Sequence, residues 1–503
     1  MDEHDRKQCN GVFHGQSANM IYDVAVVGSG AGGTAAATFL ARQGVSTLLL
    51  DKSSIPRDTV RSDGLMPQAV YWLDRLGCAD EILAETKGCI HACELYVDGK
   101  HLLTGRFPDD TLYPDFAILI VRQRFDEIML RNAIAHGAHF EGRTIVRGIA
   151  YESDCVRVVA ERDRKPVEFR ARIVIGADGA SSTVSRAIGN TLKDGVLGIS
   201  VRTTYRNVAC DGAGIRVYFN RAYFPSYGWL FIDDHGSACV GIGCAVDKNF
   251  PTVDNLSAGL RRFIDTDLSE TLANATRCGP FSGGMSGYYR PSAIAADRVL
   301  LIGDAANQAD PLNRGGIHTA MESAYCAAEA CRHALSVGDF SRETLHSYEN
   351  LWSTQFEPDW RMSEIFMSIV KNPNLKDFSL FLLKQIGELT ASDPRFRDFA
   401  SGVFSGVVSH STWLSPRALY HAFPKDSHAW LTLLRSNGGE PNNGAAAGAM
   451  RLACGAIASA AKSGLGLARS PDTTLDWGMD VVTKAIRFAD RQVAALPRAE
   501  AHS

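Results

Sequence analysis

Three glycines with the spacing Gly28-x-Gly30-x-x-Gly33 separate an apolar, β-branched segment from a helical pattern. In such a loop the first glycine permits a tight turn, the second lets the backbone approach a pyrophosphate, and the third lets the helix pack closely on the strand. The helix N-terminus then offers N–H groups and a positive dipole to an anion. Asp51 follows roughly 20 residues after the loop, where a carboxylate binds ribose hydroxyls. These residues predict a dinucleotide site.

A second set of residues with chemical spacing lies in 299–321 (VLLIGDAANQADPLNRGGIHTAM). Gly303-Asp304 follows a short apolar strand, so the carboxylate of Asp304 can accept hydrogen bonds from hydroxyl groups. Pro311 ends the loop, and Gly315-Gly316-Ile317 leads into a helix. The N–H groups and the positive end of that helix are expected to face an anion.

A third segment, 173–186 (IVIGADGASSTVSR), has an apolar strand that Asp178-Gly179 closes in a tight turn. The three motifs together resemble the fingerprints of the flavoprotein superfamily that contains the single-component FAD monooxygenases (para-hydroxybenzoate hydroxylase-like) and the geranylgeranyl reductases. The resemblance spans roughly residues 20–345. It implies that the dinucleotide is FAD, that Asp304 holds the flavin ribitol, and that the helix after Gly316 stabilises the charge of the reduced flavin.

The resemblance also implies roles for other residues. Asp178-Gly179 serves flavin and nicotinamide binding in the family, and Arg122, in VRQRFD, matches an arginine that contacts the cofactor. A surface arginine near a helix N-terminus is the alternative for Arg122. Only one dinucleotide motif is present, so NAD(P)H is expected to visit the flavin transiently as the reductant. The candidate cofactor-binding residues are Gly28, Ser29, Gly30, Gly33, Asp51, Lys52, Arg122, Asp178, Gly179, Gly303, Asp304, Pro311, Gly315, Gly316 and Ile317.

Two segments favour the geranylgeranyl reductase branch of this superfamily. Residues 56–65 (PRDTVRSDGL) resemble its PRDKxCGDGL stretch, and residues 227–231 (YGWLF) resemble its YxWxFP motif, which lines the substrate cavity. The departures are Arg61 in place of the cysteine, Ile232 in place of the proline, and Arg314 where glycine is usual. Arginine stays protonated and cannot act as an acid. It can instead hold an anionic or carbonyl-bearing substrate.

Two reactions on a small-molecule substrate therefore remain open. The first, which the residues favour, is NAD(P)H-dependent monooxygenation of an aromatic, heterocyclic or lipophilic metabolite by O₂ through a flavin C4a-(hydro)peroxide, as in secondary metabolism. The alternative is reduction of isoprenoid double bonds. Halogenation is disfavoured because Trp229 has no second tryptophan two positions away, and a non-catalytic flavin-binding scaffold is a third interpretation. The candidate catalytic residues are Arg61, Tyr227 and Trp229.

Several side chains near these motifs have two interpretations. Tyr227 and Trp229 alternate on a predicted strand, so both face a substrate or both pack against helices. His318 is expected to cap the helix that follows Gly315-Gly316, with contact to flavin or substrate as the alternative. Asp63, with Arg61, either lines the pocket or forms an internal salt bridge.

These residues must be positioned by an α/β fold. The chain begins with a βαβ unit and continues with a β-rich segment and then amphipathic helices, which predicts a Rossmann-like FAD-binding domain, an antiparallel-sheet substrate domain and a C-terminal helical region. The predicted divisions are a disordered extension (1–19), the FAD-binding domain (20–195 and 285–345, with strands from 95–115 joining the substrate sheet), the substrate sheet (196–284), a helical region (346–436) and a helical tail rich in small residues (444–503).

Composition narrows the possible partners. The formal net charge of −4 with no long basic run disfavours nucleic acid. The 12 cysteines are scattered without zinc-site spacing, which disfavours a metal and suits a reducing cytoplasm. No secretory signal or long apolar span is visible. The tail 444–503 is expected to pack on the core, with a peripheral membrane or dimer contact as the alternative, and the oligomeric state is not predicted.

Overall fold

The computed structural model describes residues 20–54, 62–190, 197–246, 256–287, 293–310 and 315–370, with 376, 379–380, 383–384, 387, 390 and 394–409. The predictions on 1–19, Arg61, Pro311, Arg314 and 444–503 lie outside these residues. The strands are β1 (Ile21–Val27), β2 (Thr47–Leu50), β3 (Ser62–Leu65), β4 (Ala92–Val97), β5 (Lys100–Arg106), β6 (Ile118–Val121), β7 (His139–Glu141), β8 (Thr144–Tyr151), β9 (Val156–Arg162), β10 (Lys165–Gly176), β11 (Leu197–Arg206), β12 (Gly214–Phe219), β13 (Tyr227–Ile232), β14 (Ala238–Val246), β15 (Thr276–Arg277), β16 (Ser282–Gly287), β17 (Ala295–Ala296) and β18 (Val299–Leu301).

Helices pack on the sheets, and three of them follow the last strand in the part of the chain that the structure describes. They are α1 (Ala31–Arg42), α2 (Pro67–Arg75), α3 (Ala79–Ala84), α4 (Arg122–Ala135), α5 (Thr183–Ala187), α6 (Leu256–Asp267), α7 (Ile317–Val337), α8 (Arg342–Val370) and α9 (Pro394–Ser405), with a 3₁₀ turn at Gly303–Ala306. Within the described part of the chain, none of them is long and apolar enough to cross a membrane.

The first sheet contains the predicted βαβ unit. Its main strand order is β17-β18-β10-β1-β2-β7, and β18, β10, β1, β2 and β7 run parallel. β1 and β2 are almost wholly buried runs of apolar residues, as expected of parallel strands covered on both faces. Helix α1 packs on α7, and the contact is close because Gly32 lies against Ala320, where a Cβ would be 3.2 Å from the alanine methyl. The predicted α/β fold class, with a Rossmann-like parallel sheet, is confirmed.

The second sheet has the order β15-β11-β14-β13-β12-β4-β5, and β16 also pairs with β11. Its pairs are antiparallel except β12 with β4. Strands β4 and β5 come from the segment expected to join it. One face packs on α6 through a cluster that includes Val240, Ile242 and Phe263, and the opposite face is left for the cavity described below.

One predicted boundary falls inside a strand. The division between 284 and 285 lies within β16, because that strand pairs with β11 along its whole length. Ser62–Leu65 pairs with β6, so α2 starts only at Pro67. Helix α7 begins at Ile317, directly after the glycine pair, as the motif predicted.

Packing of the glycine loop leads to a stability prediction. A Cβ at Gly33 would lie 1.8 Å from the carbonyl oxygen of Gly28, so Gly33→Ala must displace α1 from the loop. Overpacking of this kind costs about 1–3 kcal/mol. We expect a lower thermal midpoint for Gly33→Ala than for the wild type. Gly148→Ala is the matched control, because a Cβ there meets no atom within 4 Å. Equal midpoints for the two variants would contradict the packing argument.

A buried carboxyl group on α7 gives a pH-dependent prediction. Burial raises the pKa of Glu322 from 4.5 to about 8, and a hydrogen bond with Trp72 opposes the shift. The folded state therefore holds this proton more tightly than the unfolded chain, and the stabilisation is lost as the pH rises through about 8. We expect Glu322→Gln to raise the thermal midpoint at pH 8 and to flatten its dependence on pH above 4.5. Glu343→Gln, at an exposed site in the first turn of α8, should leave the slope unchanged. A slope in Glu322→Gln that matches the wild type would refute this assignment.

Candidate functional site

The glycine-rich loop is connected to the end of β2 by hydrogen bonds to Asp51. Ser29 donates to Asp51 Oδ2 from its backbone N at 2.7 Å and from Oγ at 2.8 Å, and the backbone N of Ser53 donates to Oδ1 at 2.7 Å. The carboxylate is therefore fixed beside the loop in the position that the spacing predicted. Lys52 is exposed to solvent.

Helix α1 presents its N-terminus to a cavity. Gly30 is the residue before the helix, its side-chain position offers no cap, and the first turn contains no acidic residue. A Cβ on Gly30 would have no atom within 4 Å, whereas one on Gly28 would lie 2.4 Å from the carbonyl oxygen of Ala177. The loop is therefore closely packed on one side and open on the other. Gly30, Ala31 and Gly32 line the cavity on the open side.

A buried hydrogen-bond network fixes the turn that contains Asp304. The backbone N of Gly303 donates to Gln308 Oε1 at 2.7 Å, and Gln308 Nε2 donates to the Tyr348 hydroxyl at 2.8 Å. That hydroxyl donates in turn to the carbonyl of Leu301 at 2.7 Å. Asp304 lines the cavity, and burial raises its pKa to about 6 while the Arg122 guanidinium opposes the shift. Because a charge is costly in this position, polar ligand groups would stabilise the ionised form.

The N-terminus of α7 lies on the same cavity. Gly315, Gly316, Ile317 and His318 all line it, and the residue before the helix, Gly316, has no side-chain cap. His318 is the second residue of α7, and its buried side chain lines the cavity, which agrees with the alternative interpretation of contact with flavin or substrate.

Asp178 and Gly179 have different surroundings. The Asp178 carboxylate accepts a short hydrogen bond from Ser182 Oγ and one from the backbone N of Thr183 at 2.6 Å, so it fixes the start of α5. Gly179 lines the cavity with a φ of +79° and nothing within 4 Å of a Cβ. The cavity wall therefore includes the glycine and not the aspartate.

Asp63 lies between two arginines from different parts of the fold. Arg122 Nη1 is 3.1 Å from Asp63 Oδ2, and Arg202 Nη1 is 3.0 Å from Asp63 Oδ1. Arg122 also donates from Nε to Asp126 Oδ1 at 2.8 Å, and these carboxylates keep its pKa above the ordinary value despite burial. The Arg122 side chain is only 13% exposed, which excludes the surface interpretation. Asp63 both lines the cavity and forms an internal salt bridge, so its two expected roles coexist.

Strand pairing sets out the substrate face of the second sheet in three rows. Pairing across the sheet gives the rows Cys93-Ile215-Phe231-Cys239, Leu95-Val217-Trp229-Gly241-Arg202 and Val97-Phe219-Tyr227-Gly243-Ser200. Tyr227 and Trp229 both line the cavity, as the interpretation of these residues as a substrate wall predicted. Their ring centres are 5.9 Å apart. A Cβ on Gly241 would be 2.2 Å from the Trp229 indole, so the ring occupies the space above that glycine.

The loops of the first sheet and this face enclose one cavity of about 480 Å³. It brings together Gly30, Arg122, Gly179, Gly303, Asp304, Gly315, Gly316, Ile317, Tyr227 and Trp229 among the predicted residues. The buried glycine loop beside the cavity contains Gly28, Ser29 and Gly33, and Asp51 holds it through hydrogen bonds. Lys52 is exposed to solvent, and the carboxylate of Asp178 bonds to the start of α5. No group of three or more metal-ligating side chains occurs among the described residues.

Comparison with known proteins agrees with this geometry. A family profile described as "FAD binding domain" matches residues 21–223. The digeranylgeranylglycerophospholipid reductase of Methanosarcina mazei is 30% identical over 368 residues, which cover 70% of this chain and 84% of the relative. The chain belongs to the flavoprotein superfamily of the geranylgeranyl reductases. The sequence motifs predicted this superfamily, and the prediction is confirmed.

Two further similarities extend over most of the flavoprotein. The digeranylgeranylglycerophospholipid reductase of Methanosarcina acetivorans is 29% identical over 394 residues, covering 76% of this chain and 93% of the relative. The crystal structure of a geranylgeranyl bacteriochlorophyll reductase-like protein from Thermoplasma acidophilum covers 80% of this chain and 99% of its own, with a TM-score of 0.66 and 22% identity. The second similarity concerns the fold alone.

The described residues of this flavoprotein fit FAD. The open side of the glycine loop has room for a pyrophosphate at Gly30, where the N-terminus of α1 would stabilise its charge. Asp51 and Asp304 would bind the ribose and ribitol hydroxyls, and the N-terminus of α7 would face the flavin end. The FAD-binding domain is therefore supported both by the profile and by the geometry of the loops.

Some residues that line or support the cavity could not be found from local motifs. Arg202 and Ser200 lie on β11, where no motif marks them, and only strand register brings them to the cavity. Gln308 and Tyr348 are 40 residues apart. Their hydrogen bond requires α8 to pack over the turn, which the sequence pattern does not specify.

The contrast between two glycines predicts the effect of a small substitution on FAD. Gly30→Ala places a methyl group in the open space of the cavity without a protein clash, so the apoprotein should keep the wild-type thermal midpoint. FAD affinity should fall by roughly tenfold or more, because the methyl group blocks close approach of the pyrophosphate. FAD titration of the apoprotein measures this, with Gly148→Ala as the control. Unchanged affinity would show that the pyrophosphate does not lie on Gly30.

Proposed function

We propose that this flavoprotein reduces carbon–carbon double bonds of an isoprenoid substrate. The observation that carries the proposal is the apolar wall of Ile215, Val217, Phe219, Trp229 and Phe231, which lies in the same cavity as the flavin loops. Such a wall suits a hydrocarbon chain, whose burial is favoured at roughly 25 cal/mol per Å². The residues taken alone favoured oxygen transfer, but sequence relatives that align over most of their length carry the name reductase, which shifts the preference.

FAD, when bound, supplies the hydride for such a reduction, and NAD(P)H is the reductant we propose for it. The chain itself has three tasks. The apolar rows of β12 and β13 orient the hydrocarbon, the packed cavity wall excludes water, and one side chain must supply a proton to the second carbon. Arg61, in the position of the family's cysteine, cannot supply that proton because arginine stays charged.

Tyr227 is the proton donor that we propose. Its ring is held between Phe219 and Trp229, at centroid distances of 5.7 and 5.9 Å. Its row on the sheet is the one nearest the segment between Asp304 and Gly315. Strand β14 continues from this row to Ala245, which packs with Ala309 in that segment. A phenol group can donate a proton from its hydroxyl oxygen. Trp229, which has no acidic proton to give, serves as a wall.

An anaerobic assay tests the proposed reaction. The FAD-loaded protein is reduced with dithionite or NAD(P)H without oxygen and mixed with geranylgeranyl compounds, and products are analysed by mass spectrometry. A product that has gained two hydrogen atoms under these conditions supports double-bond reduction. Absence of that product, together with an oxygenated product only after O₂ is admitted, would overturn the proposal in favour of monooxygenation. If no reductant reduces the bound flavin and no substrate reoxidises it, the result would indicate the scaffold function.

Tyr227→Phe tests the proton donor. Loss of a general acid typically slows the step by roughly 10²–10⁴-fold, so single-turnover formation of the saturated product should slow by that factor. FAD content and substrate affinity should remain at wild-type levels, because the ring and its stacking are retained. Tyr218→Phe is the matched control, since Tyr218 lies on the α6 side of the same sheet and stacks on Tyr96. A Tyr227→Phe rate within about twofold of the wild type would exclude Tyr227 as the donor.

A further inference from the structure

The substrate face of the second sheet changes in polarity from one edge to the other. At β4 and β12 the rows contain Leu95, Val217 and Phe219, whereas at β11 they end in Ser200 and Arg202. Between the two edges, β14 contributes Gly243 and Gly241, and the Trp229 indole lies over Gly241. A ligand that lies across the rows therefore meets an apolar surface at one end and hydrogen-bonding groups at the other.

Arg202 has hydrogen-bonding capacity left at the polar edge. One of its terminal nitrogens pairs with Asp63, while Nε is buried and has no hydrogen-bond partner among the described residues. A buried donor without a partner destabilises the protein, and a ligand acceptor would recover that cost. Ser200 adds a hydroxyl group in the neighbouring row, between Gly243 and Gly284 on the flanking strands.

The charges around this edge favour one kind of ligand group. Among the described residues that line the cavity, Arg122 and Arg202 are matched by Asp63 and Asp304. Both arginines already contact Asp63. An anionic group beside Arg202 would add a negative charge that no free cation of this group balances, and burying such a charge is costly. An uncharged oxygen can accept a hydrogen bond from Nε of Arg202 without that cost.

We infer that Ser200 and Arg202 bind an uncharged oxygen, such as a carbonyl or hydroxyl group, at the polar end of the isoprenoid substrate. The hydrocarbon tail then lies across Trp229 toward Val217 and Phe219. This inference rests on the proposed function for the isoprenoid nature of the tail, but the choice of head group depends only on the cavity. Arg202 and Ser200 are thus specificity-determining residues.

Equilibrium binding to the oxidised, FAD-loaded full chain tests the inference without turnover. Three probes carry the same prenyl chain: a prenylated naphthoquinone with neutral carbonyl groups, the prenyl diphosphate, and the hydrocarbon without a head group. Binding is followed by the change in flavin absorbance. We expect the naphthoquinone to bind at least about tenfold more tightly than either other probe, as a hydrogen bond to a charged donor implies. Tighter binding of the diphosphate would overturn the inference.

Variants of the polar edge identify the residues responsible. Arg202→Gln and Ser200→Ala should each weaken the naphthoquinone by roughly fivefold or more and leave the hydrocarbon unchanged. Arg206→Gln, an exposed site on the same strand, is the matched control. FAD content and thermal midpoint check the folding of each variant, and Ser200→Ala keeps the test valid if loss of Arg202 prevents folding. Equal weakening of all three probes would show a structural role only and overturn the assignment.

The outcome of this test is separate from that of the proposed reaction. If the naphthoquinone preference and its loss in the variants are observed but no double bond is reduced anaerobically, the head-group assignment stands and the reductase proposal fails. If saturated products form but all head groups bind alike, the reductase proposal stands and the head-group assignment fails.

Discussion

Asp63, on β3, is the common partner of two arginines that reach it from different parts of the fold, one at the start of a helix and one on a strand. Arg122 follows β6 at the start of α4 in the FAD-binding part, and Arg202 belongs to β11 of the substrate sheet. Removing one member of a buried ion pair typically costs 3–5 kcal/mol, because the remaining charge loses its partner. The pairing therefore connects β3 and the start of α4 to the substrate sheet at the wall of the cavity.

Local chemistry explains why much of the cofactor site could be predicted. Gly28, Gly30 and Asp51 act through backbone conformation and a strand end, which a short segment encodes by itself. The same holds for Gly303-Asp304 and for the glycine pair before α7. Superfamily and fold class followed from the order of these motifs along the chain.

Long-range packing explains what sequence reasoning missed. Arg202 reaches the cavity only through the register of β11 on β14, and Tyr348 reaches Gln308 only because α8 crosses the turn. Asp178 shows the opposite case, in which a residue next to a cavity-lining glycine uses its carboxylate to start a helix. A motif gives the residue's place along the chain, whereas its hydrogen-bond partners decide which way the side chain points.

The Trp229 indole resting on Gly241 has a consequence for how this cavity can diverge. The aromatic ring is supported by bare backbone, so its height above the sheet is set by a residue that has no side chain. Any larger residue at 241 would lift the ring into the cavity and shorten the path available to a chain-like molecule. Position 241, which does not line the cavity itself, thereby limits the length of the chain-like molecule that the cavity can hold. A substitution there changes this limit without altering the flavin loops.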